Sequence, residues 1–181
     1  MIHNKQKQYS AGIIPYTIRN NQIYYLLGRD WRDEGWSDFG GKCEEDDKNK
    51  PKSTAIREFY EETMGSVLTY KSLMNEIHNI KEYITSTTLN GSPYYMYFLY
   101  VEDIDYIIYF DKIYNFIKFI KTGDSSKYLE KCEIKWIPSS ELKRINNSDI
   151  KFRNIFKKTL IKCKSQIETV ERVILKNPLK E

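Results

Sequence analysis

The sequence predicts an α/β (α+β) chain in which helices cover a mixed sheet. Three observations predict it. Runs rich in β-branched and aromatic residues come in pairs joined by turn chemistry, Asn20-Asn21 in the first pair and Asn90-Gly91 in the second. Amphipathic stretches with helical spacing stand between and after these pairs. The order is strands, helix, strands, helix, strand, helix, with no repeat, low-complexity tract or linker, so residues 1–181 read as a single domain.

Taken in order, residues 10–19 (SAGIIPYTIR) and 22–29 form the first predicted hairpin, and residues 36–42 (WSDFGGK) a short strand ending in two glycines. A charged loop covers 44–50. A helix starts at Pro51, because proline lacks an N–H that would have no partner at a first helical position. Ala55, Ile56, Phe59 and Tyr60 recur at helical spacing, and Gly65 is the predicted stop. Strands are predicted over 77–89 and 93–101, a helix over 104–121, a strand over 133–138 and a short helix over 139–144 with serines able to cap it. One long amphipathic helix is predicted over about 149–175. Its apolar stripe is Phe152, Ile155, Phe156, Leu160, Cys163, Ile167 and Val170, and its polar face is basic.

Composition excludes several classes. Apolar residues are 40% and charged residues 30%, a balance able to bury a core without staples. The net charge of +4, from 29 Lys and Arg against 25 Asp and Glu, suits an anionic substrate but falls short of a nucleic-acid-binding signature. Cys43, Cys132 and Cys163 are too widely spaced for a zinc site or a disulfide framework. Residues 1–10 carry no signal-peptide core, and the most apolar stretch, 106–120, is broken by Asp111, Lys112, Asn115 and Lys118. The expectation is a cytoplasmic protein without membrane contact.

Chemistry concentrates in residues 40–65, GGKCEEDDKNKPKSTAIREFYEETMG. Glu58, Glu61 and Glu62 lie at i, i+3 and i+4, so three carboxylates share one helix face. Their repulsion favours a neutralising cation, and Mg²⁺ prefers oxygen ligands while accepting substrate phosphates as further ones. A solvated acidic face would show the same run. The surrounding order is what separates the two readings: a Gly-Gly strand end, an acidic loop, a proline-started helix and an Arg-Glu pair.

This segment resembles the signature of the Nudix (MutT-like) hydrolases: Gly, five residues, Glu, seven residues, then Arg-Glu-apolar-any-Glu-Glu-any-Gly-apolar. Arg57-Glu58-Phe59-Tyr60-Glu61-Glu62 matches its core, Gly41-Lys42 its loop entrance, and Trp136-Ile137-Pro138-Ser139-Ser140-Glu141-Leu142 the late strand-helix element. Two departures stand out. The loop carries two extra residues, so its expected Glu is replaced by Asp46 or Asp47, or by Asn49 on the count back from Arg57. The helix end has one residue more before Gly65.

The resemblance implies a Nudix-like α/β/α sandwich with a mixed central sheet. It implies that Glu58, Glu61, Glu62 and a backbone carbonyl near Gly40 bind Mg²⁺, with Mn²⁺ as an alternative, and that Arg57 holds Glu58. The general base is left between these carboxylates and a Glu outside the box, Glu133 or Glu130; for Glu133 an ordinary strand-end position is the competing reading. Trp36 and Phe39 are candidates to stack on a base, against the commoner core role of strand aromatics. Lys42 is a candidate substrate contact. His3 and His78 lack a second ligand at metal spacing, and a nucleophilic role for Cys43 is rejected.

The function so implied is Mg²⁺-dependent hydrolysis of a phosphoanhydride in a nucleoside diphosphate linked to another moiety, with a small phosphorylated nucleotide as partner. Two alternatives stand beside it. One is mRNA decapping, which certain large DNA viruses and eukaryotes perform with this fold and which the basic terminal helix favours. The other is a catalytically silent nucleotide sensor, which the intact glutamates disfavour.

Overall fold

A computed structural model describes residues 8–120 and 127–177; His3 lies outside them. Seven strands form one sheet: β1 (Ser10–Arg19), β2 (Gln22–Asp30), β3 (Trp36–Ser37), β4 (Phe39–Lys42), β5 (Tyr83–Thr87), β6 (Pro93–Tyr100) and β7 (Lys131–Pro138). The main path runs β3-β2-β1-β6-β5, with β4 pairing β1 and β7 pairing β2. The β1–β6 pair is parallel and the remainder are antiparallel, so the sheet is mixed.

β1 is buried almost end to end because it is central and covered on both faces, which is why it reads as a continuous apolar run. Edge strand β5 instead alternates exposed and buried residues. Asn20 and Asn21 both take positive φ, 48° and 62°, as a tight turn between twisted strands requires.

Helices α1 (Pro51–Thr63), α2 (Tyr70–Asn79) and α3 (Tyr106–Ile120) cover one face. Ala55, Ile56 and Phe59 of α1 pack there with Leu73, Ile77 and Phe110. Each side chain of that size fully removed from water contributes roughly 1.5–3 kcal/mol. On the other face Phe152, Phe156, Leu160, Ile167, Val170 and Ile174 pack with Tyr25, Phe98 and Ile137. The result is an α/β/α sandwich. None of the described helices is long and apolar enough to cross a membrane.

Several expected boundaries move. The strand over 36–42 divides at Asp38: its first half pairs β2 and its second half pairs β1. Residues 77–82 are not strand. Ile77 belongs to α2, a helix absent from the sequence reading, whose Thr69 side chain accepts from Ser72 N–H as an N-cap. The short helix α4 (Ser139–Lys143) starts after Pro138 with no side-chain cap, so the serine caps are not used. The long terminal helix is two helices, α5 (Asn154–Lys162) and α6 (Lys164–Lys176), with a break at Cys163. The apolar stripe continues through the break, which is why periodicity alone did not reveal it.

Candidate active site

α1 brings its carboxylates against the β4 strand end. Glu62 falls on the buried stripe of the helix, three residues after Phe59, and is 2% exposed. Its Oε2 accepts from the Gly40 N–H at 2.8 Å. Glu58 lies over Gly41 so closely that a Cβ there would stand 2.4 Å from its Oε1. Here the glycine is required by close approach rather than by a turn.

Arg57 ties this face to the loop. Its Nη1 donates to Glu58 Oε1 at 2.9 Å and to Glu61 Oε2 at 3.4 Å. Its Nη2 donates to the Lys42 carbonyl at 2.8 Å and to Asp47 Oδ2 at 3.1 Å. Asp47 is itself buried and accepts from Thr54 Oγ1 and from the Glu44 N–H, both at 2.8 Å. Burial alone would push its carboxyl up; the hydrogen bonds from Arg57, Glu44 and Thr54 outweigh that and hold it below the usual range.

Two further cations complete the cluster. Lys127 Nζ, on a half-exposed side chain, donates to Glu61 Oε1 at 2.9 Å. Lys131, wholly buried, lies 3.5 Å from Glu62 Oε1 and donates to Ser37 Oγ at 2.8 Å. Burial pushes Glu62 up to about 8 against the opposing pull of Lys131, and Glu58 up to about 7 against that of Arg57. Glu130 adds its charge to both shifts. Beside the cluster a cavity of about 500 Å³ opens, with Asp38, Gly40, Gly41, Tyr94 and Glu130 in its wall. The tip of the β5–β6 hairpin and Ile155, Phe156 and Thr159 of α5 close its other sides. Burial pushes Asp38 up to about 6, opposed by the hydroxyl that Tyr94 donates to it and by Lys131.

No family model matches the sequence. Over 62 residues the chain is 47% identical to an uncharacterised protein of Acanthamoeba polyphaga mimivirus; this covers 30% of the chain and 19% of that protein, about a fifth of its length. Among solved structures it is similar to an Ap4A hydrolase of C. elegans in a binary complex, with a TM-score of 0.51 and 16% identity, covering 88% of this chain and 98% of that one. The NUDIX domain of Shewanella oneidensis NrtR complexed with ADP ribose matches at 0.49 and 13%, covering 91% and 87%. A MutT/nudix family protein of Enterococcus faecalis matches at 0.49 and 14%, covering 76% of this chain and 46% of that one. The chain has the Nudix fold.

Of the three loop candidates, Asp47 is the one that pairs with Arg57, at 3.1 Å. The extra residue before Gly65 is absorbed by two successive positive φ values, 55° at Met64 and 68° at Gly65, so the helix ends after Glu62. Of the two candidate glutamates outside the box, Glu130 lines the cavity and acts on the helix carboxylates, whereas Glu133 pairs with Arg29 at 2.8 Å. Lys42 lines the cavity. Trp36 and Phe39 do not: Trp36 is half-buried against the α5–α6 side, and Phe39 is wholly buried edge-on to Phe59, at 5.5 Å between ring centroids. His78 sits exposed on α2.

Sequence reasoning missed Lys131, Asp38 and Tyr94. A buried lysine carries no local pattern, but Gly28 was a clue. A Cβ on Gly28 would lie 2.9 Å from Cγ and Cδ of Lys131, so this strand glycine makes room for the lysine stem.

Proposed function

We propose that the chain, working as one domain, is a divalent-metal-dependent pyrophosphohydrolase cleaving the phosphoanhydride of a nucleoside diphosphate linked to another moiety. The observation carrying this reading is the set of three α1 carboxylates, Glu58 and Glu61 held by Arg57 and Glu62 by the Gly40 N–H, beside a cavity of nucleotide size that Gly40 and Gly41 line. The Ap4A hydrolase name of a similar structure points to the same substrate class.

The donor set fits Mg²⁺ or Mn²⁺. Glu58, Glu61 and Glu62, with the Gly40 carbonyl, offer only hard oxygens. Burial holds the carboxyls of Glu58 and Glu62 above the usual range, and a bound cation would favour their ionised form. Among the described residues these groups are not drawn together at metal-ligand distance. Arg57 reaches both Glu58 and Glu61, and Lys127 occupies Glu61. Lys127 is half-exposed, whereas Arg57 is half-enclosed and paired with Asp47. When bound, the metal supplies charge neutralisation for the phosphates and a water of lowered pKa.

The chain's own residues do the remainder. Arg57 holds Glu58 and Glu61 in register. The cavity, with Lys42 in its wall, seats the organic part of the substrate. A carboxylate accepts the proton of the attacking water while its oxygen attacks phosphorus and the anhydride P–O bond breaks. Glu130, facing the cluster, suits that role better than Glu133, which Arg29 engages. A second reading, capped RNA as substrate, draws support from α5: residues of this basic helix wall the cavity, and Lys162 Nζ donates to Thr87 Oγ1 on its rim at 2.6 Å.

Hydrolysis of dinucleoside polyphosphates, nucleotide sugars, nucleoside triphosphates and capped RNA with Mg²⁺ or Mn²⁺ tests the proposal. Metal-dependent turnover of a member in which a nucleoside diphosphate is linked to another group is expected. Binding without turnover of any of them would instead make the chain a nucleotide sensor.

A further inference from the structure

Of the three tryptophans, Trp36 and Trp136 are half-buried, whereas Trp31 is 53% exposed. A single apolar side chain on a surface is ordinary, so exposure alone assigns nothing. Its placement does. Trp31 follows the end of β2, and its N–H donates to the Glu130 carbonyl at 3.2 Å. Glu130 lines the cavity, while Trp31 stands outside the cavity wall. The loop that carries the indole, residues 31–35, is braced. The Arg32 N–H donates to Asp30 Oδ1 at 2.9 Å, the Gly35 N–H to Asp33 Oδ1 at 2.8 Å and the Asp30 N–H to the Gly35 carbonyl at 3.0 Å. Arg153, a second cavity residue, lies 3.5 Å from Asp30 Oδ2 and 3.3 Å from Asp33 Oδ2. The loop is therefore tied to the cavity wall at Glu130 and at Arg153, and it holds an indole in water next to both. The Arg32 guanidinium lies 5.3 Å from the Trp31 ring centroid. An aromatic face accompanied by a cation is the pairing that takes up a base and its phosphate together.

We propose that Trp31 is a stacking platform for a second nucleobase, so that the moiety linked to the nucleoside diphosphate is itself a nucleoside. One nucleoside occupies the cavity, the phosphates lie along the α1 carboxylates, and the second base rests on the indole outside the cavity. A large, rigid aromatic side chain loses little conformational freedom when it is covered, which suits it to this role. Stacking on a π-face is tolerant of base identity, so this half of the substrate is selected for carrying a base rather than for which base it carries.

The inference rests on the pyrophosphohydrolase reading above, but its test measures binding rather than turnover, so the two fail separately. A dinucleoside polyphosphate with methylene groups in place of the bridging oxygens, and the matching methylene-bridged nucleoside diphosphate, are titrated with Mg²⁺ into wild type, Trp31→Ala and Trp31→Tyr. The dinucleotide is expected to quench tryptophan emission in wild type and not in either variant. Trp31→Ala should weaken the dinucleotide about tenfold, the scale of one lost base stack, and leave the nucleoside diphosphate unchanged. Trp31→Tyr keeps an aromatic face and should retain most of the dinucleotide affinity. Unchanged dinucleotide affinity in Trp31→Ala overturns the proposal, and so does an equal loss for both compounds, which would make Trp31 part of the first nucleoside's site or of the fold. Those two results leave the pyrophosphohydrolase reading standing. Failure of wild type to bind either compound would overturn both.

Discussion

The α1 face and the α5–α6 face of the same sheet are built by different rules. Every group of the α1 cluster except Lys127, Glu130 and Lys131 lies within residues 40–62, and helix geometry alone sets Glu58, Glu61 and Glu62 side by side. The cavity beside it is assembled from residues far apart in the chain: Asp38, Thr87, Tyr94, Glu130 and Thr159. The first region has charge buried against charge, locked by Arg57 and Asp47. The second has an apolar inner stripe and a solvated basic outer one. The carboxylate cluster is therefore set by local spacing on one face, while the cavity beside it takes its walls from both faces.

That division predicts the largest effects on α1. Glu61→Gln and Glu62→Gln keep side-chain shape and remove charge, and each is expected to lower turnover on the order of 100-fold or more, comparable to losing a preorganised electrostatic group. Circular dichroism of the metal-free variants should match wild type, since the like-charge repulsion they relieve favours the fold. Near-wild-type turnover in both would remove the catalytic role from this face.

Asp47 comes next. It touches no reacting group, yet it fixes Arg57, which fixes Glu58 and Glu61. Asp47→Asn keeps the hydrogen-bond acceptor and loses the charge; it should cost roughly 10–100-fold in metal affinity or turnover, the range for a supporting partner one layer out. Asp46→Asn, one residue away on the exposed side of the turn, should change neither. Equal effects at the two positions would show that loop charge, not bracing, matters.

A smaller effect, in stability, follows from the raised carboxyls. Glu58 and Glu62 hold their protons in the folded chain up to about 7 and about 8, against 4.5 unperturbed. Between those values the folded state binds more protons than the unfolded one, so the stabilisation present below pH 4.5 is lost as pH rises through 7 and 8. The metal-free melting temperature should fall across that window, and Glu62→Gln should flatten the fall. Added Mg²⁺ should raise the melting temperature more at pH 8 than at pH 5, because only ionised carboxylates bind it. A melting temperature that climbs with pH without metal would contradict the buried charge cluster.

Legibility followed the same division. The first hairpin, the start of α1 and the Arg57–Glu62 run could be read because each is set by residues a few positions apart. The helix over 70–79 was missed because Leu73 and Ile77 give a short stripe, next to a β-rich stretch that drew Ile77 into the strand. Phe39 stood between a base-stacking and a core role because a strand period says which face a side chain takes but not which face is covered; α1 covers it with Phe59. Glu130 and Glu133, three residues apart, were indistinguishable until Arg29 across the β2–β7 pair claimed one of them. Lys131 could not be read at all, since only the fold places a strand lysine behind a helix glutamate.

The smallest expected effect is on the basic outer face, and it decides between the two substrate readings. Lys157, Lys158 and Lys162 lie on α5 and Lys164 begins α6, so the break at Cys163 keeps the four from forming one straight stripe. Lys162 is already engaged with Thr87, which lines the cavity. If the substrate is capped RNA, each phosphate neutralised by such a lysine adds roughly −0.7 to the slope of log affinity against log salt. Changing all four to Gln would then weaken capped-oligonucleotide binding and flatten its salt dependence, leaving hydrolysis of a free dinucleotide cap analogue nearly unchanged. If the substrate is a small nucleotide, neither measurement responds. The second outcome is expected, because a net charge of +4 is modest and exposed lysines on a helix are ordinarily solvated. Affinity at two salt concentrations, for wild type and the four-site variant, separates the readings: a steep slope that the variant loses would move this face from scaffold to substrate-binding surface.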